Sequence, residues 1–143
     1  MTEVPRSLRL VVTFVAIVAG MAGMAVLPAC GSDPHYTGAP GGRVHVHLSE
    51  YRVTPEHIQV RAGRITIEAR NTGRVTHNLA VVQFAHPTSA QDERAYGKPT
   101  PTLFPGQTGG TTVALKPGKY RLVCTIANHD NLGQYGELKV TGR

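Results

Sequence analysis

Two side chains near the C-terminus of this 143-residue chain carry the clearest chemistry. They are the thiol of Cys124 and the imidazole of His129, in the stretch Tyr120-Arg-Leu-Val-Cys124-Thr-Ile-Ala-Asn-His129-Asp-Asn-Leu-Gly-Gln134. Four residues separate Cys124 from His129, and four more separate His129 from Gln134. A soft thiolate beside an imidazole suits copper or zinc far better than magnesium or calcium. A second imidazole from elsewhere in the chain would complete a Cys plus two His donor set.

The positioning elements read as strands. Tyr120, Leu122 and Cys124 share one face of a run over 119–125, because strand side chains alternate with period two. Cys124 is thereby expected at the inward edge of a core, with His129 in the short loop that follows. Upstream, Val44, Val46 and Leu48 alternate with polar partners, as do Ile58 and Val60, and Ile65, Ile67 and Ala69. The runs end at turn signals: Thr54-Pro55, Ala62-Gly63 and Asn71-Thr-Gly73. Further runs are expected over 77–82, 111–116 and 136–141. About seven short strands, each with one apolar face, predict an all-β, antiparallel β-sandwich. One long connection, 83–107, holds four prolines and room for a short helix over 89–96 behind Ser89.

His77 shares a face with Leu79 and Val81, which turns its ring inward at a strand end. A lone inward histidine is more often a hydrogen-bonded core residue than a ligand. Its significance here lies in its company, since Cys124 and His129 lack one nitrogen donor.

The N-terminus reads as an export signal. Arg6 and Arg9 precede an uncharged run over 10–27, and Leu27-Pro-Ala-Cys30 follows. This resembles a bacterial lipoprotein box, in which Cys30 would be lipidated and become the first residue of the mature chain. An uncleaved membrane anchor is the alternative, the run being close to the lower length limit for a spanning helix. Either reading places the remainder outside the cytoplasm, tethered to the membrane. The expected organisation is a signal peptide over 1–29, a Gly/Pro-rich flexible tether over 30–42, and one domain over 43–143. Without residues 1–29, which hold Arg6, Arg9 and Glu3, 13 basic and 8 acidic side chains remain, a net charge of +5. Lipidation of Cys30 leaves Cys124 as the only thiol of the domain, a liability in an oxidising compartment unless something occupies it.

From Val44 to Val140 the chain resembles the cupredoxins, the blue copper protein family. The resemblance rests on Asn71-x-Gly73 with His77-Asn78, Pro105-Gly106, Pro117-Gly118-x-Tyr120, and Cys124-x4-His129. It implies a Greek-key sandwich and one mononuclear type 1 copper, with His77, Cys124 and His129 as equatorial ligands. Asn78 would brace the loop carrying Cys124 through a hydrogen bond beyond the ligands themselves. Many relatives place a methionine where Gln134 stands here. The three methionines, Met1, Met21 and Met24, all lie in the signal segment. Gln134 resembles the axial glutamine of stellacyanin-type members, a harder donor that favours Cu(II) and predicts a lower reduction potential.

The resemblance implies a membrane-tethered one-electron carrier, not an enzyme, working with a redox protein and no small-molecule substrate. The alternatives are copper storage or delivery without electron transfer, and zinc in the same pocket. His45 and His47 fall on the polar side of their strand and read as solvated surface. The scattered arginines (Arg43, Arg52, Arg61, Arg64, Arg70, Arg74) lack interleaved aromatics and carry no nucleic-acid signature. They suit an acidic partner surface.

Overall fold

The computed structural model describes residues 34–83 and 95–142, and these form two β-sheets over a common core. The expected signal peptide, the lipidation site Cys30 and the start of the tether lie outside the described residues.

Among the described residues there are ten strands: β1 (Thr37–Gly38), β2 (Arg43–Ser49), β3 (Arg52–Thr54), β4 (His57–Arg61), β5 (Gly63–Asn71), β6 (Ala80–Gln83), β7 (Ala95–Tyr96), β8 (Thr108–Leu115), β9 (Gly118–Val123) and β10 (Tyr135–Thr141). One sheet has the order β1-β4-β10-β9-β6-β7, the other β3-β2-β5-β8. The alternation legible in the sequence is what seals them together. Val44, Val46 and Leu48 of β2 and Ile65, Ile67 and Ala69 of β5 face Ile58 and Val60 of β4, Tyr120 and Leu122 of β9, and Leu138 and Val140 of β10 in one buried cluster. His45 and His47, on the opposite side of β2, are exposed, and His45 Nδ1 lies 3.3 Å from Glu68.

The expected all-antiparallel arrangement is corrected in one respect. Both sheets are mixed: β2 runs parallel to β5, and β4 runs parallel to both β10 and β1. Parallel neighbours need a crossover rather than a hairpin, and here the chain crosses between sheets after β2–β3 and again after β4. The strand count rises above seven because short pieces, β1, β3 and β7, extend the sheets at their edges.

Residues 37–42, expected in the flexible tether, pack onto the domain instead. Thr37–Gly38 pairs with Ile58 and Gln59, the Ala39 N–H donates to the Gln59 carbonyl at 2.8 Å, and a 3₁₀ turn follows over Pro40–Gly42. Tyr36 fastens this edge by donating its hydroxyl to Glu137 and packing its ring 5.7 Å from that of His57. Glycine and proline content alone concealed the aromatic anchor. Of the helix expected over 89–96, Ala95–Tyr96 is strand β7 instead, paired with Val81 and Val82; residues 89–94 lie outside the described residues.

Candidate metal centre

One end of the sandwich brings three donor side chains together. Cys124 follows directly on β9 and is fully buried, with Leu122 and Tyr120 behind it on the same face. Strand β9 carries it to the edge of the core and ends there. The chain then makes a compact loop whose base is closed by the Cys124 N–H donating to the Gln134 carbonyl at 3.2 Å. Within the loop the His129 carbonyl accepts from the N–H groups of Leu132 at 3.1 Å and Gln134 at 3.0 Å, while the His129 N–H donates to Ile126 O at 3.0 Å. Ala127 and Asn128 take positive φ, 46° and 62°, which bends the backbone so that His129 turns back toward the thiol.

His77 comes from the other side. It precedes β6 and pairs with Leu103 through two backbone hydrogen bonds, 3.1 Å and 2.7 Å. Its side chain is fully buried. The segment leading to it is shaped by Asn71, also fully buried, whose Nδ2 donates to Val75 O and Leu103 O, both at 2.8 Å. Asn71 Oδ1 accepts from the Gly73 N–H at 2.9 Å. The sequence marks Asn71-x-Gly73 as a turn and as part of the motif around His77, but not what the Asn71 side chain does. Its amide in fact ties the segment leading to His77 to the Leu103 backbone.

The Sγ of Cys124 lies 3.6 Å from His129 Nδ1 and 4.0 Å from His77 Nδ1. The ligating atoms of the three residues all lie within 4.8 Å of one another, and among the described residues this is the one such group. Metal–nitrogen and metal–sulfur bonds of about 2.0 and 2.3 Å, opened to a trigonal angle, separate N and S by about 3.7 Å. The two observed separations bracket that value, so the donors fit one small metal ion held between them.

Gln134 is fully buried beside them. Its Nε2 donates to Ser49 O at 2.7 Å, but its Oε1 has no hydrogen-bond partner, and neither does His77 Nε2. An orphaned buried acceptor costs about 1–3 kcal/mol, so the free amide oxygen at the rim of a thiolate–imidazole cluster is itself suited to a metal. Burial pushes the His77 pKa down, and neighbouring His129 pushes the same way, outweighing the opposite pull of Glu50 and of the Gln134 amide. The imidazole is thereby kept neutral, the form that binds metal.

Asn78 links the two ligand-bearing segments. Its Oδ1 accepts from the Thr125 N–H at 2.8 Å, and its Nδ2 donates to Thr125 Oγ1 at 2.8 Å. The residue after His77 therefore holds the residue after Cys124. Ser49, whose backbone carbonyl holds Gln134 from 85 positions away, carries no signal of that part in the sequence.

Reduced auracyanin from the photosynthetic bacterium Roseiflexus castenholzii superposes with a TM-score of 0.59 at 20% identity, over 72% of this chain and 99% of its own. Auracyanin A, a "blue" copper protein of the green thermophilic photosynthetic bacterium Chloroflexus aurantiacus, gives 0.55 at 20%, over 70% and 100%. Rusticyanin from Thiobacillus ferrooxidans gives 0.55 at 17%, over 76% and 84%.

The chain has the cupredoxin fold. No protein-family model matches its sequence, and a comparison with curated proteins finds no match. The cupredoxin likeness is thus carried by the sandwich, with the Cys-His-His cluster at one of its ends.

Proposed function

We propose that the protein is a type 1 copper protein that carries one electron at a time, held outside the cytoplasm by its N-terminus. The observation that carries the reading is the Cys124–His77–His129 cluster, with one thiolate sulfur 3.6 and 4.0 Å from two imidazole nitrogens. A soft sulfur with two imidazoles and a weak fourth donor is the ligand set of blue copper, with the axial place open to Met, Gln or a backbone oxygen. Gln134 Oε1 supplies that fourth donor in this reading. Copper bound there provides the redox couple.

The chain's own residues keep the donors in place. Cys124 and His77 are buried on elements fixed by backbone pairing, so little has to move when the charge on the site changes. His129 is half-buried in its loop, and the exposed apolar residues Leu132 and Tyr51 lie in that loop and against its ring. This end is the natural face for electron entry and exit. The +5 charge of the chain beyond the signal segment favours a partner with an acidic surface, chiefly by speeding encounter.

The test is to add Cu(II) to the purified protein, record its visible spectrum, and follow with voltammetry. An intense thiolate-to-copper band and a reversible one-electron wave support the carrier. Zinc bound in preference to copper, or copper held only as Cu(I) with no band, moves the reading to a zinc site or to copper handling.

A further inference from the structure

Three consecutive residues, Ser49 at the end of β2 and Glu50 and Tyr51 in the turn to β3, reach three different segments of the metal centre. The carbonyl of Ser49 accepts from Gln134 Nε2 at 2.7 Å. The Oε1 of Glu50 accepts from the backbone N–H groups of Arg74 and Val75, the latter at 3.1 Å, and so holds the segment that reaches His77 two residues later. The ring of Tyr51 stands edge-on to the ring of His129, with centroids 5.8 Å apart and an interplanar angle of 82°.

Neighbouring backbone features are arranged around these contacts. Gly73 leaves room for the Glu50 carboxylate, since a Cβ there would lie 2.7 Å from Oε1. Gly133, in the ligand loop at φ +107°, would place a Cβ 3.3 Å from the Tyr51 carbonyl. Tyr51 itself is held at φ 58°, a conformation uncommon for a bulky residue. Glu50 is exposed, and its carboxyl is held below the ordinary range, first by the Arg74 N–H.

The geometry points to the β2–β3 turn as the positioning element of the centre, with Glu50 setting the approach of His77 and Tyr51 setting the ring of His129. Neither residue is a ligand; each acts through one. The need for such a support is physical. Cys124 is fixed by β9 and the core, whereas His129 stands on an irregular loop and His77 follows an irregular turn. Residues that orient ligands from outside typically change metal affinity by about 10–100-fold when removed. This inference rests on the reading of the cluster as a metal centre.

The test uses the full-length chain loaded with copper and four variants, with three readouts: the visible and EPR spectra, the rate of copper loss to a chelator, and the melting temperature of the metal-free protein. Glu50→Ala removes the acceptor for two N–H groups, while Glu50→Gln keeps an oxygen in place. Tyr51→Asn removes the ring but tolerates positive φ, while Tyr51→Phe keeps the ring edge. The expected result is copper loss about 10–100-fold faster, with altered spectra, in Glu50→Ala and Tyr51→Asn. Glu50→Gln and Tyr51→Phe should stay close to the parent. The proposal is overturned if Glu50→Ala and Tyr51→Asn match the parent in spectrum and in release rate. It is equally overturned if the two conservative variants fail as badly as the others. Should Glu50→Ala not fold, Gly73→Ala displaces the same carboxylate and takes its place. A parent chain with no charge-transfer band would refute the copper reading alone; zinc release from the same variants then decides the positioning claim.

Discussion

The bond between Asn78 and Thr125 joins the two ligand-bearing segments, and its removal has a calculable cost. Asn78→Ala deletes one acceptor for the Thr125 N–H and one donor to Thr125 Oγ1, each at 2.8 Å. Each such bond contributes about 0.5–1.5 kcal/mol net, and a donor left buried costs about 1–3 kcal/mol. Asn78 is 8% exposed, but Thr125 is exposed, so water replaces part of what its N–H loses. The expected destabilisation is about 1–3 kcal/mol. For a domain of roughly 100 residues, each kcal/mol shifts Tm by about 4–8 °C, so the metal-free variant should melt about 4–24 °C lower. Asn78→Asp keeps the acceptor for the Thr125 N–H and lets the Thr125 hydroxyl donate in its turn, so it should recover most of the loss. Thermal and urea unfolding of the three proteins give the answer, with chelator-driven metal release alongside. An Asn78→Ala protein that melts within a degree or two of the parent and releases metal at the parent rate would refute this account of the bridge.

Other outcomes follow from the same contacts. Gln134→Met replaces an amide oxygen by a thioether and should raise the reduction potential by roughly 60 mV or more, a tenfold shift toward Cu(I); an unchanged voltammogram and spectrum would place Gln134 away from the metal. Leu103 is buried and forms the backbone bridge to His77, so Leu103→Ala should cost about 2–5 kcal/mol in urea unfolding and loosen the metal as well. Glu137 provides a pH test. Burial pushes its carboxyl up, but the Tyr36 hydroxyl and Lys119 outweigh this and hold its pKa below the ordinary value. A folded-state pKa below the unfolded one gives stability that is full above the ordinary carboxylate range and drains away as pH falls through the folded value. Glu137→Gln should therefore lose less stability than the parent between pH 5 and the acid limb, as read from urea midpoints; parallel pH profiles would exclude the Tyr36–Glu137 latch.

Much of this was legible in the sequence because it rests on local rules. Period-two alternation placed Val44, Val46, Leu48, Ile65, Ile67 and Leu122 in the core, and the same rule put Cys124 at its edge. The Cys-x4-His spacing needed only one loop to bring Cys124 and His129 together. What the sequence hid is non-local. No pattern in Arg43–Ser49 or Gly63–Asn71 announces that these strands run parallel, because parallel pairing depends on where the intervening chain crosses. Tyr36 sits in a Gly/Pro-rich stretch whose composition masks a single anchoring ring. Nothing in the sequence marks Ser49, Glu50 and Tyr51, between Leu48 and the Thr54-Pro55 turn signal, as more than connecting residues, and their contacts with residues 74, 75, 129 and 134 exist only once the two sheets are stacked.

In the function proposed above, Cys124, His77 and His129 hold one copper in a type 1 site. The most direct measurement is the visible absorption spectrum of the Cu(II)-loaded protein beside that of Cys124→Ser. A type 1 site gives an intense thiolate-to-copper band in the parent that vanishes in the variant. A parent spectrum with only weak copper absorption, or a band that survives in Cys124→Ser, would contradict it.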